Sequence, residues 1–527
     1  MSERNQKSYQ IEYLIDIVKE QFYRLLRSAP EQWNLAKEEA IRWEAGKLTI
    51  RKALKACGYG DENARSFIQS YIGDFLQKYA DVDERTIEDI IPFDSPTNMD
   101  FQSKFLTLLL IREEVEGKNA LSSLIEQYEW NKPKYSSCKE HCEITKDDIE
   151  QAFYLEYQEL SYGQKLNILV QRLYEAYLGY GIIDRILTMN LDGVSGGVSK
   201  DEKSIWIFYH GNTIHLSCLV FEDMREMMRV CRNLYRYGNQ GQLSQSKGYI
   251  TGSRQDGSRV VVMRPPFAES WAFFVRKFDM AKVLSLEDIL KRDTKGEVLS
   301  TLKWIVKGCQ VMGITGDQGS GKTTLLMALI DFISMAYTIR VQELTFELQL
   351  RERYPKRNIL SLRETETISG QEALDLLKKT DGIVTILGEV ATQPVANWLI
   401  QIAQTASLFT MFTHHAKTTK DLLEGLRNAL LKEGGFQNEQ IALQQVVASI
   451  RFDIHMARTR DGERYVERIT EITWNKDKEE GYEIRDLIVW ENGQYKKKNE
   501  FSHIVQQDIL KRLTLEEKQQ FLQELGG

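Results

Sequence analysis

The sequence predicts an α/β protein in which a phosphate-loop domain built on a parallel sheet follows a mixed α+β domain and a helical extension. Three observations carry this prediction. Apolar residues recur at helical spacing through the first 145 positions. Short β-rich runs broken by turn glycines fill much of the next stretch. After about residue 294, strands and helices alternate around the segment "GITGDQGSGKTTLL", residues 313–326.

Composition narrows the possibilities. The chain has 527 residues, 42% hydrophobic and 28% charged, as expected of a globular protein with several domains. A formal charge of -7 argues against a large basic surface, so no nucleic-acid partner is expected. Even "FLTLLLI" (105–111) falls well short of the roughly 18 apolar residues of a membrane span. The polar start "MSERNQKSYQ" lacks the apolar core of a secretion signal, which points to the cytoplasm. Six cysteines in a chain this long do not make a disulfide framework. "CKEHC" (138–142) has no second pair to complete a zinc site and is read as reduced thiols at a helix end.

The elements follow in order. "IEYLIDIVKEQFYRLL" (11–26) and "NARSFIQSYIGDFLQKY" (63–79) are helices of the extension, residues 1–145. Residues 146–278 form the mixed domain. In it, "YGQKLNILVQRLYEAYLGYG" is a helix ending at glycines, and "SIWIFYHGNTIHLSCLVF" (204–221) is a hairpin turning at "HGN". A helical stretch (222–237) leads to short strands in "GYITGSRQDGSRVVVMRPPFAESWAFFVRKF" (248–278). Residues 279–293 read as a linker with one helix, 294–475 as the phosphate-loop domain, and 476–527 as a charged tail with a final helix. The run Lys496–Lys498 is read as a solvated face.

The chemistry concentrates in the phosphate-loop domain. Gly316, Gly319, Gly321, Lys322 and Thr323 fit G-x-x-x-x-G-K-[ST]. "QVMGIT" before them reads as a buried strand, and "TTLLMALIDFISMA" after them as a core helix. Glycines let backbone N–H groups close on phosphate oxygens at a helix N-terminus, where the helix dipole favours an anion. The expected nucleotide contacts are Gly316, Asp317, Gln318, Gly319, Ser320, Gly321, Lys322, Thr323 and Thr324. Lys322 neutralises the outer phosphates, and the Thr323 hydroxyl ligates magnesium.

Three further stretches complete the expected site. "GIVTILGEV" (382–390) is an apolar strand ending in Gly388-Glu389, which suits Glu389 to orient the attacking water or to hold magnesium through water. "RVQELTFELQL" (340–350) carries Glu343 and Glu347; alone it also reads as an amphipathic surface piece. "SLFTMFTHHAKTTKDLLEGLRNALL" (407–431) runs from a strand into His414-His415. A helix follows, capped by Thr418 with Asp421, with Leu422, Leu423, Leu426 and Leu430 on one face.

Taken together, the phosphate loop, E-x-x-x-E-L-Q-L, the apolar strand with Gly-Glu, and T-x-H-A resemble the secretion ATPases of type II and type IV systems. The likeness is greatest to the CpaF branch, which serves Flp/Tad-type pilus assembly. It extends from about 160 to 475, through "GSRQDGSRVVVMRPPF…WAFFVRKF" and "VVASIRFDIHMARTRDGERYVERITEI" (446–472). The resemblance implies a RecA-like P-loop core, a preceding PAS-like domain, ATP and magnesium, a homo-hexameric ring, an inner-membrane platform protein as partner, and pilin-like cargo reached indirectly. It implies that Glu389 is the second-motif acid, Glu343 the first acid of the Asp-box and His415 the histidine of the His-box. Arg259 and Arg276 match the arginines that reach the γ-phosphate.

Four departures from that pattern stand out. Leu344 stands for an Asp, Ala391 for an Arg, and Lys378-Lys379-Thr380 for Arg-Arg-Pro, while two extra residues crowd the strand before His415. They motivate one alternative to the motor, an ATP-binding scaffold or regulatory module with little hydrolysis; a DNA-transfer ATPase is a third reading, against which the acidic balance counts.

Overall fold

The structure is a computed structural model that describes residues 11–28, 37–136, 139–238, 241–277, 286–344, 346–365, 368–405, 407–434, 436–459 and 463–526. The chain divides into two compact units, Met1–Asp279 and Met280–Gly527. Each is built around its own mixed sheet.

In the first unit, helices Ile11–Arg27, Lys37–Cys57, Glu62–Tyr79, Phe101–Glu116 and Ala120–Gln127 precede a run of short strands. The strands are β1 (Lys134–Ser136), β2 (Lys139–Glu143), β3 (Gly193–Gly196), β4 (Ser204–Tyr209), β5 (Asn212–Val220), β6 (Tyr249–Ser253), β7 (Arg259–Met263) and β8 (Ala272–Arg276). They form one sheet in the order β1-β2-β5-β4-β3-β8-β7-β6. The β4–β5 hairpin turns on His210 (φ 47°) and Gly211 (φ 77°), the left-handed pair that a two-residue hairpin loop requires. Leu14, Phe22, Ile68 and Leu76 of the extension share one buried core with Ile207, Val260 and Val275 of the sheet. Lys139–Glu143 is strand, so Cys142 does not sit at a helix end as expected; its Sγ donates to the Asn131 carbonyl. Cys138 lies outside the described residues. Among those described, no three His, Cys, Asp or Glu side chains cluster as metal ligands.

The second unit begins, among the described residues, with helices Leu286–Ile289 and Glu297–Lys307. Its strands are β9 (Met312–Gly316), β10 (Ile339–Glu343), β11 (Ile359–Arg363), β12 (Val384–Leu387), β13 (Phe409–His414), β14 (Phe452–Arg458), β15 (Arg464–Trp474), β16 (Tyr482–Glu491) and β17 (Gln494–Lys497). The sheet order is β11-β10-β12-β13-β9-β14-β15-β16-β17. From β11 to β14 the strands are parallel, and from β14 to β17 antiparallel. β9, β10 and β12 are buried at every position, the pattern of a sheet covered on both faces.

Two apolar cores flank this sheet. One packs Trp304, Leu325, Leu326 and Ile454; the other packs Leu374, Trp398, Leu422 and Val446. Thr418 caps helix Thr419–Lys432 with Asp421 completing the box, and Leu422, Leu423, Leu426 and Leu430 are buried. Residues 476–527 supply β16, β17 and helices His503–Arg512 and Leu515–Gly526, and they bury Phe501, Val505, Ile509 and Phe521 in the first of these cores. Among the described residues, no helix is long and apolar enough to cross a membrane.

Candidate functional site

β9 delivers the loop 317–321 to the C-terminal edge of the parallel strands, the edge at which open α/β sheets bind ligands. Gly316 (φ 134°), Gly319 (φ 78°) and Gly321 (φ 97°) adopt positive backbone angles that residues with a side chain rarely take. A side chain at Gly316 would also collide with the Met456 carbonyl oxygen. Helix Lys322–Leu329 begins at Gly321 with no side-chain cap, which leaves its first N–H groups for a ligand. The Ser320 hydroxyl is buried in the loop with no hydrogen-bond partner among the described residues.

Lys322 is almost fully buried. Its ammonium donates to the carbonyls of Gly316 (2.9 Å) and Asp317 (2.8 Å), the loop's own oxygens. It also reaches Nδ1 of His415 at 3.4 Å. His415 Nε2 in turn lies 3.3 Å from Glu389 Oε1. Since Nδ1 accepts from the ammonium, the ring proton belongs on Nε2, facing the carboxylate. The phosphate-loop lysine, the histidine and the strand-end glutamate therefore form one continuous line.

Backbone bonds hold that line in register. Gly388 N–H donates to Gln342 of β10 (2.8 Å), and Val390 N–H donates to Thr413 of β13 (2.9 Å). The Thr413 hydroxyl donates to the Gly388 carbonyl at 2.5 Å. Glu389 is thus clamped between two neighbouring strands. His414 turns the other way, with Nδ1–H donating to the Val390 carbonyl at 2.7 Å. Burial holds its pKa below the ordinary histidine value.

Glu343 ends β10, only 3% exposed, and is no part of an amphipathic surface piece. Its Oε2 accepts from Leu348 N–H at 2.8 Å, whereas its Oε1 has no partner among the described residues. Gly388 makes room for it, since a Cβ there would stand 3.0 Å from Glu343 Cγ. Burial, with the charge of Glu347 adding to it, pushes the carboxyl up to about 8, so it carries a proton at neutral pH.

Sequence reasoning missed the support behind the loop. Asp453 of β14 is fully buried and accepts from the hydroxyls of Thr315 (2.5 Å) and Thr419 (2.6 Å). Thr315 has one proton, and Asp453 takes it. His455 Nδ1, 2.9 Å from the same hydroxyl, must then be the donor. Thr315 immediately precedes Gly316, so this network fixes the strand that launches the loop. An acid inside the apolar run "FDIHM" was its available signal.

Arg259 and Arg276 belong to the first unit. They are direct register partners on β7 and β8.

The loop fits a nucleotide's phosphates by three features of its own: an uncapped helix start, an unpaired buried hydroxyl and a cation turned onto carbonyls. Thr323 on the first turn of its helix and Glu389 just beyond β12 are oxygen donors of the kind magnesium takes.

Residues 259–462 match the model of the family described as Type II/IV secretion system protein. Three solved structures are similar at low identity. The VirB11 ATPase of the Brucella suis type IV secretion system, in complex with sulphate, is 19% identical over 53% of this chain and 89% of that one, with a TM-score of 0.30. The Legionella pneumophila ATPase DotB is 15% identical over 65% and 86%, with a TM-score of 0.40. The pilus retraction motor PilT with bound ADP is 14% identical over 65% and 88%, also at 0.40. At TM-scores of this size nothing is carried over from them. No curated protein is a significant match.

Proposed function

We propose that the chain is a magnesium-dependent ATP-hydrolysing motor of the type II/IV secretion kind, in the Flp/Tad-like pilus-assembly branch. The observation that carries hydrolysis is the line Lys322–His415–Glu389 at the mouth of an uncapped phosphate loop. Lys322 leaves the loop carbonyls for the outer phosphates, where its charge gains most. Glu389 orients the attacking water and receives its proton, and His415 holds the carboxylate in place. Thr323, with Glu389 through water, would hold magnesium, whose charge neutralises the phosphate oxygens.

By resemblance we assign the first-unit sheet a PAS-like role, with Arg259 and Arg276 reading the γ-phosphate. The same resemblance assigns a homo-hexameric ring that acts on a membrane platform protein and pilin-like cargo.

The test is phosphate release by the purified chain with ATP and magnesium. Lys322→Ala should abolish binding. Glu389→Gln should keep binding and lose turnover, because it retains shape without the charge. Wild-type turnover no higher than that of the Gln variant would instead favour the scaffold reading, toward which the protonated Glu343 beside Leu344 points.

A further inference from the structure

Two arginines to which no role has been assigned lie against the phosphate loop. β14 runs parallel to β9 with Met456 beside Gly316, and the β14–β15 pairing sets Arg458 opposite Arg464. Met456 is buried in the core that also holds the phosphate-loop helix. Arg458, two residues further along the strand, shares its face. The contacts agree. Arg458 Nη1 is 3.6 Å from where a Cβ on Gly319 would stand, and Arg464 Cδ is 3.1 Å from the corresponding point on Gly321. Both arginines are exposed.

Like charges directly opposite on paired strands repel. An anion at the loop would turn that repulsion into binding. We propose that Arg458 and Arg464 are a phosphate-binding pair, supplied by the same unit as the loop, that holds the inner phosphates of a nucleoside diphosphate or triphosphate opposite Lys322. This rests on the nucleotide reading above and adds to it. Because the pair and the loop share one unit, its contribution is present with ADP as fully as with ATP. That separates it from Arg259 and Arg276, which are assigned to the γ-phosphate alone. Guanidinium suits the task because its planar fork matches two phosphate oxygens at once.

The test is the affinity of the full chain for a fluorescent ADP and for ATP, with magnesium and at two salt concentrations. Arg458→Gln and Arg464→Gln should each weaken both nucleotides at least tenfold and make binding less salt-dependent. The nucleotide-free melting temperature should not fall. Lysine at either position should recover part of the affinity, which a merely structural role would not predict. Wild-type ADP affinity in both Gln variants, or in both Lys variants if the Gln forms do not fold, would overturn the pair. Failure of the wild-type chain to bind ADP at all would instead overturn the nucleotide reading itself, and this inference with it.

Discussion

Arg259 and Arg276 stand directly opposite each other on antiparallel strands of the first unit. Two like charges in that position destabilise a sheet, a cost consistent with a functional demand. Arg259→Lys or Arg276→Lys should leave ADP affinity nearly unchanged and cut turnover at least tenfold, about 1.4 kcal/mol of barrier. Arg276→Gln removes the repulsion and should raise the melting temperature of the nucleotide-free protein slightly while losing the same activity. Wild-type turnover in both Lys variants would refute the assigned γ-phosphate role.

The phosphate loop, the Thr418–Asp421 cap and the His210–Gly211 turn were legible because each is decided within a few residues. Glu343 was harder to place, since its burial depends on β11 and β12 on either side of β10 and on the gap left by Gly388. Asp453 was hidden more deeply. It meets Thr315 across 138 residues of sequence, and only the pairing of β14 with β9 brings them together. The charged stretch after residue 476 hid strand β16 for a related reason: near a sheet edge, charged residues are interspersed with the buried Tyr482, Leu487 and Ile488.

Asp453→Asn should destabilise the second unit by about 1–3 kcal/mol, because an amide cannot accept from both threonine hydroxyls and leaves a buried group unpaired. Thr315 then loses its anchor one residue before the loop, so ADP should also bind more weakly. Urea unfolding and ADP titration of the same variant check both effects. Stability within about 0.5 kcal/mol of wild type, the ordinary effect of a neutral surface change, would show that the network is dispensable.

Glu343 gives the fold a pH dependence of definite sign. Its carboxyl is pushed from 4.5 to about 8 in the folded state, so between those values the folded protein binds more protons than the unfolded one. Stability from this group is therefore fully present below pH 4.5 and is lost as pH rises toward 8, by at most about 1.4 kcal/mol per pH unit. Glu343→Gln should flatten that slope for the second unit and leave the variant more stable at pH 8. Glu175 of the first unit is pushed up to about 8 as well, first by burial, so the comparison must be between variant and wild type. Parallel stability curves from pH 5 to 8 would mean that Glu343 is ionised in the folded protein.

Phe521 tests whether the last fifty residues belong to the second unit's core. Its fully buried ring meets Trp304 at 5.2 Å and Phe501 at 6.2 Å, and Phe501 in turn packs on Phe452 of β14. Nearby, Glu524 accepts from the Trp304 indole at 2.7 Å, and Lys307 pairs with Glu517 at 2.6 Å. The same core contains Leu325 and Leu326 of the phosphate-loop helix. Truncating a buried phenylalanine costs about 3–5 kcal/mol, which for a unit of this size lowers the melting temperature on the order of 10 °C. Phe521→Ala should show that loss in calorimetry. It should also weaken ADP binding, because the cavity opens in the core that supports the loop's helix. A charged tail lying on the surface would predict neither effect, so an unchanged melting temperature would return residues 515–526 to that status.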